Sequence, residues 1–132
     1  MKISFCIPTR NRSDTIPATI DSIISQNIKD IEIVIVDGAS TDDTEKIINN
    51  YKKSFPNIIY YKRNECVGVD RDILKTVSLS SGDYCWLMSD DDIITKGAVK
   101  NIIQHLNKNP SISGLTTNYI QYNHLLEYPV HT

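Results

Sequence analysis

The chain alternates short β-branched runs with stretches whose apolar residues recur every three or four positions. Lys2–Ile7 is an apolar run stopped by Pro8, and it predicts a first strand. Ile16, Ile20, Ile23 and Ile24 share one helical face, which predicts an amphipathic helix over about Asp14–Gln26. Ile31–Val36 is almost entirely β-branched, as in a strand covered on both faces. Asp42 then predicts a helix N-cap, with Glu45 at capping-box spacing and Ile47, Ile48 and Tyr51 on the apolar side. Ile58–Tyr61 predicts a third strand, and Val69, Ile73, Leu74 and Val77 mark a third helix. Tyr84–Met88, entered through the turn residues Ser81-Gly82-Asp83, predicts a short buried fourth strand. Val99, Ile102, Ile103 and Leu106 predict a fourth helix from near Thr95, and Gly114–Ile120 is a candidate fifth strand. The last dozen residues show no clear period.

Strands alternating with helices imply an α/β fold with an open, mostly parallel sheet and helices on both faces. Ligands of such sheets bind at the carboxyl ends of the strands. Thr9-Arg10-Asn11-Arg12, Asp37-Gly38, Asn64 with Gly68, and Asp90-Asp91-Asp92 are the residues expected there. Three successive carboxylates repel one another unless a cation is present. Mg²⁺ and Mn²⁺ prefer oxygen ligands and commonly bridge one or two carboxylates to phosphates. One reading of the triplet is therefore a metal–diphosphate site. The other is a solvated helix start, where Asp is also favoured. The polar residues collected after each strand favour the first.

Composition narrows the field. The 132 residues carry 14 basic and 16 acidic side chains, a net charge of −2, and suffice for one core. No basic block suggests a nucleic-acid partner, and no apolar run approaches the ~20 residues of a membrane span. Met1–Ile7 is too short for a signal peptide. Cys6, Cys66 and Cys85 lack CxxC spacing and read as small hydrophobes in a reducing compartment. Trp86 reads as core because it lies inside a strand. Lys52-Lys53 reads as a solvated helix end, and His105, His124 and His131 read as non-ligands.

The ordered motifs resemble those of family 2 glycosyltransferases, over about residues 2–108. Ile7-Pro8-Thr9-Arg10-Asn11-Arg12 is similar to the family's P-T-Y-N-R opening. Val36-Asp37-Gly38-Ala39-Ser40-Thr41-Asp42 is similar to its V-D-D-G-S-T-D segment. Asn64, Gly68 and Arg71 fall where the family has N-x-G followed by Arg, and Ser81-Gly82-Asp83-Tyr84 precedes Asp90-Asp91-Asp92 as G-D-Y precedes a D-x-D-type metal motif. The resemblance implies the GT-A (Rossmann-like) fold. It implies an inverting transfer of sugar from a nucleoside-diphosphate donor to a saccharide or lipid-linked saccharide acceptor. The implied setting is surface polysaccharide synthesis in the cytoplasm, or peripherally at the inner membrane face.

The site residues follow by the same resemblance. Asp91 and Asp92 would hold Mn²⁺ or Mg²⁺, and Asp90 would face the ribose. Pro8, Thr9, Arg10, Asn11, Asp37 and Gly38 would border the nucleotide. Arg71 would place positive charge beside it or clamp Asp37. Residues 1–110 would form the nucleotide-sugar-binding domain, and 111–132 would begin an acceptor-side region that runs on in a longer protein.

Three departures matter. Arg10 stands where the family has an aromatic, although a guanidinium plane can also stack on a base. Gly38 replaces the second acid of V-D-D, so a uracil-bearing donor is not implied. Ser89 occupies the first position of D-x-D. After the triplet the only acid is Glu127, in no recognisable base motif, so no general base is assigned. A nucleotide-sugar-binding module without turnover is therefore the rival reading. Receiver or phosphatase folds, which place a reactive Asp at a strand end, fit the Val36–Asp42 segment less well.

Overall fold

The computed structural model describes residues 1–123. Four strands and four helices alternate: β1 (Ile3–Thr9), α1 (Ile16–Ile24), β2 (Ile31–Asp37), α2 (Thr44–Ser54), β3 (Ile58–Lys62), α3 (Val69–Leu79), β4 (Tyr84–Leu87) and α4 (Ala98–Lys108). The strands form one parallel sheet in the order β3-β2-β1-β4. β2 is buried at every residue, which is why its apolar positions are all β-branched and do not alternate with exposed polar ones. Ile16, Ile20 and Ile23 of α1, Ile48 of α2, and Val99 and Leu106 of α4 close the core over Phe5, Ile33 and Ile35.

The opposite face of the sheet is covered differently. α3 packs on β1 and β2, and its buried positions are Asp72 and Thr76. Val69, Leu74 and Val77, three of the apolar residues that predicted this helix, are exposed. The helix is thus where expected, but its inward face is turned toward polar side chains.

Other expectations are corrected. β4 is an edge strand with Cys85 and Leu87 exposed, because no further strand covers it among the described residues. Gly114–Ile120 forms no strand. α4 begins at Ala98, not near Thr95, after Gly97 in a left-handed conformation. The N-cap of α2 is Asp43, not Asp42, and makes no side-chain cap hydrogen bond; Asp42 accepts from Thr44 N at 3.0 Å, and Glu45 pairs with Lys62 and completes no capping box. Trp86 stacks on Phe5, with centroids 5.4 Å apart. Cys6 is buried, and burial first, with the neighbouring Cys85, pushes its thiol up to about 12. His124, Glu127 and His131 lie outside the described residues. Among those described, no helix is long and apolar enough to cross a membrane.

At the amino end of the sheet one carboxylate joins three strands. Glu32 of β2 is buried and pairs with Lys2 Nζ. It also accepts from Ser4 Oγ (2.7 Å), Ser81 N (2.6 Å) and Ser81 Oγ (2.8 Å), which ties the turn before β4 to β1 and β2. Burial alone would raise the Glu32 pKa, but Lys2, Ser4 and Ser81 outweigh it and hold the carboxyl at about 2. Gly82 sits in the same corner, where a Cβ would come 2.8 Å from Ser4 N and 2.9 Å from Lys2 O.

Two outcomes follow for stability. A folded pKa below the unfolded one means that the Glu32 contribution is full above about pH 5 and is lost as pH falls toward 2. Glu32→Ala should cost about 2–4 kcal/mol in urea unfolding at pH 7, since it orphans buried donors, and the difference from wild type should shrink on acidification. Gly82→Ala should cost about 1–3 kcal/mol at either pH, because backbone atoms must shift to admit the methyl group.

Candidate functional site

The carboxyl ends of β1 and β2 lie side by side, with Thr9 opposite Asp37. The two loops that follow are laced together. Gly38 N donates to Thr9 O (2.8 Å), Asn11 N to Ser40 Oγ (2.9 Å), Thr41 N to Asn11 Oδ1 (2.8 Å) and Arg12 N to Thr44 Oγ1 (3.0 Å). Ser13 N donates to Asp42 Oδ2 at 3.0 Å. Burial would raise the Asp42 pKa, but the donors of Thr44 and Ser13 outweigh it and hold the carboxyl well below its usual range. Asn11 and Ala39 adopt left-handed backbone, with φ of 53° and 66°, so that both loops turn sharply.

Asp37 underlies this lacing. It has no exposed surface, and its two oxygens accept from Ser40 N (2.7 Å) and Tyr60 Oη (2.7 Å). Burial, then the bond to Asp37, pushes the Tyr60 phenol far above its usual range, so it remains a donor. The Arg71 side chain does not clamp Asp37. Arg71 is exposed, and only its carbonyl is engaged, by Arg63 Nη2 at 3.2 Å.

A cleft of about 370 Å³ opens above these loops. Pro8, Thr9, Arg10 and Arg12 form one wall, Cys66, Val69 and Asp72 the second, and Ser89 with Asp90 the third. Asp90 enters because the chain after β4 is anchored. Met88 N donates to Cys6 O (3.2 Å), and Asp90 O accepts from Thr19 Oγ1 (3.0 Å). The Asp90 carboxylate faces Arg12 Nε at 3.3 Å. Burial chiefly, and the Asp91 charge in addition, raise its pKa against the opposing pull of Thr9 and Arg12. Thr9 Oγ1 lies near that carboxyl but is buried without a properly formed hydrogen bond.

Of the residues expected from the sequence, Pro8, Thr9, Arg10 and Asp90 line the cleft. Asp37, Gly38 and Asn11 do not line it; they take part in the hydrogen bonds that hold the two loops. Arg71 is not in its wall. Asp91 and Asp92 are exposed beside it and, among the described residues, are engaged only by Ser89, whose hydroxyl donates to Asp91 and whose N–H donates to Asp92 Oδ2 at 3.3 Å. No group of three or more His, Cys, Asp or Glu residues is placed to hold an ion by itself among the described residues. Two neighbouring carboxylates still suit Mg²⁺ or Mn²⁺, whose remaining positions are commonly filled by water and phosphate oxygens.

Sequence reasoning missed Asp72, Arg63 and Tyr60. Asp72 pairs with Arg63 Nε across the second wall. Its one available signal was its place a turn after Gly68, which accepts from Asp72 N at 3.2 Å. A larger cavity of about 710 Å³ runs along β4 beside Trp86, Ile102 and Leu115. Its only charged lining residue is Asp83, which is bonded to Lys2 N, so the smaller cleft is where the chemistry gathers.

Comparison with known proteins bears on the family and the fold. Abequosyltransferase RfbV of Salmonella typhimurium is 41% identical over 116 residues, spanning 85% of this chain and 34% of that protein. The Escherichia coli enzyme named UDP-Glc:alpha-D-GlcNAc-diphosphoundecaprenol beta-1,3-glucosyltransferase WfaP is 34% identical over 119 residues, 90% of this chain and 47% of its own. The chain thus spans between a third and a half of these relatives. The solved structure of mannosyltransferase PcManGT from Pyrobaculum calidifontis, in complex with GDP-Man and Mn²⁺, shares the fold. Its TM-score is 0.73 at 21% identity, over 80% of this chain and 32% of that one. The profile of the family described as Glycosyl transferase family 2 matches residues 4–131, and the chain belongs to that family.

Proposed function

We propose that this chain forms the donor-binding half of a glycosyltransferase that moves a sugar from a nucleoside diphosphate to an acceptor hydroxyl. The supporting observation is that the ends of β1 and β4 and the start of α3 meet at one cleft, next to the loop after β2, with a pair of exposed acids beside it. Pro8, Thr9 and Arg10 border the base and ribose, and the Arg10 guanidinium is the stacking plane where relatives have an aromatic. Asp90, held by Arg12, accepts from a ribose hydroxyl. Asp37 and Gly38 hold the adjoining loops in place. Arg71, on the exposed face of α3, offers positive charge to an anionic donor as it approaches.

Asp91, with Asp92, holds the divalent ion together with the donor's diphosphate. When bound, Mn²⁺ or Mg²⁺ neutralises the charge that grows on the leaving nucleoside diphosphate. The acceptor hydroxyl displaces that group from the opposite face of the sugar ring, so the transfer inverts. The hydroxyl proton needs a base at hydrogen-bond distance. No Asp or Glu occurs between Ile93 and Asn123, so none of these residues is assigned as the base. The acceptor is a saccharide or lipid-linked saccharide, as the name of WfaP states for that relative. The setting is surface polysaccharide synthesis at the cytoplasmic side of the membrane.

A thermal-shift panel of UDP, CDP, GDP and dTDP with and without Mn²⁺ tests the reading. At 100 times its dissociation constant, the right ligand should add ~2.7 kcal/mol of stability. No shift with any of them would overturn it.

Metal dependence should run through Asp91. Asp91→Asn keeps the acceptor for the Ser89 hydroxyl and removes one of two adjacent exposed charges. By calorimetry the variant should lose the Mn²⁺-dependent part of nucleoside-diphosphate affinity, while its melting temperature stays near wild type or rises slightly. Asp92→Asn should lose less. Equal affinity in EDTA and in Mn²⁺ would leave the acids as a surface turn only.

With no base assigned, this chain should bind donor but transfer sugar 10²–10⁴-fold more slowly than a chain of its relatives' full length. A transfer assay on both checks this, and equal rates would place the base within residues 1–132.

A further inference from the structure

We propose that Asp72 Oδ2 reads the donor's nucleobase, accepting one of its N–H groups in place of the acid that position 38 lacks. This inference rests on the donor-binding reading of the cleft. A side chain at position 38 would point into space that is already filled. A Cβ built on Gly38 would lie 2.9 Å from Asp72 Oδ2 and 3.7 Å from Cβ and Cδ of Arg10. The carboxylate that relatives with V-D-D carry on the β2 loop is therefore delivered from α3, and glycine at 38 is what admits it.

The two oxygens of Asp72 have different surroundings. Oδ1 is taken by Arg63 Nε. Oδ2 receives no hydrogen bond from the protein, although the residue is only 4% exposed and lines the cleft. Oδ2 keeps contact with the open cleft, so a ligand N–H can reach it without displacing a protein donor. Asp37 offers no substitute, because Ser40 and Tyr60 occupy its oxygens and it has no exposed surface. Thr9 Oγ1 is a buried polar atom of the same cleft without a formed hydrogen bond. An ionised Asp72 held by Arg63 is acceptor-only, so it favours a base edge that presents N–H and disfavours one that presents a ring nitrogen lone pair.

The test is calorimetry in Mn²⁺ with UDP, CDP, GDP, dTDP and base-free ribose 5-diphosphate, on wild type, Asp72→Asn and Gly38→Ala. Asp72→Asn turns an acceptor into a mixed group. Gly38→Ala retains the carboxylate but displaces Oδ2 with its methyl group. Each variant should lose about tenfold or more in affinity for the nucleotide that wild type prefers, while ribose 5-diphosphate changes less than about twofold. Should Asp72→Asn fail to fold, Gly38→Ala decides alone. Wild-type affinity and base ranking in the variants would overturn the inference and leave the donor site standing. So would a proportional loss for ribose 5-diphosphate, which marks a purely structural role. Failure of wild type to bind any nucleoside diphosphate would overturn the donor reading and this inference with it.

Discussion

The carboxyl edge depends on one buried carboxylate. Asp37 ends the most buried strand of the sheet and cannot reach water. An isolated charge there would cost several kcal/mol, so its partners must be in place whenever the protein is folded. Ser40 N fixes the turn after β2, and Tyr60 Oη fixes β3 against it. Ser40 Oγ is then positioned to receive Asn11 N, which carries the constraint across to the loop after β1. The walls of the cleft therefore inherit their geometry from the inside of the sheet, and little is left to the solvent-exposed chain.

The sheet and helices were legible in the sequence because parallel strands buried on both faces must be written in β-branched residues, as the apolar positions of Ile31–Val36 are. The helices were equally plain in their periodicity. The orientation of α3 was not. Val69, Leu74 and Val77 suggested the inward face, yet Asp72 and Thr76 occupy it. Periodicity reports apolar residues, and an inward-facing charge is invisible to it until its partner, here Arg63 from the loop after β3, is known. Pro8, Thr9, Arg10 and Asp90 were found because strand-end position and motif spacing coincide there. Gly114–Ile120 misled because β-propensity alone does not make a strand. A strand needs a neighbour to pair with, and β4 receives none among the described residues.

The distribution of acids around the cleft separates their roles. Asp72 and Asp90 are buried, and each faces an arginine, Arg63 and Arg12 respectively. Paired in this way they contribute little net negative field, and an anionic donor can approach them. They are correspondingly poor ligands for a cation, which would have to compete with a guanidinium already in place. Asp91 and Asp92 are in the opposite position. They are exposed, adjacent in sequence and, among the described residues, engaged only by the neutral donors of Ser89. Their mutual repulsion is relieved by a cation bound between them. The same charge pairing leaves Asp91 and Asp92 as adjacent exposed carboxylates for which no cationic partner is seen among the described residues.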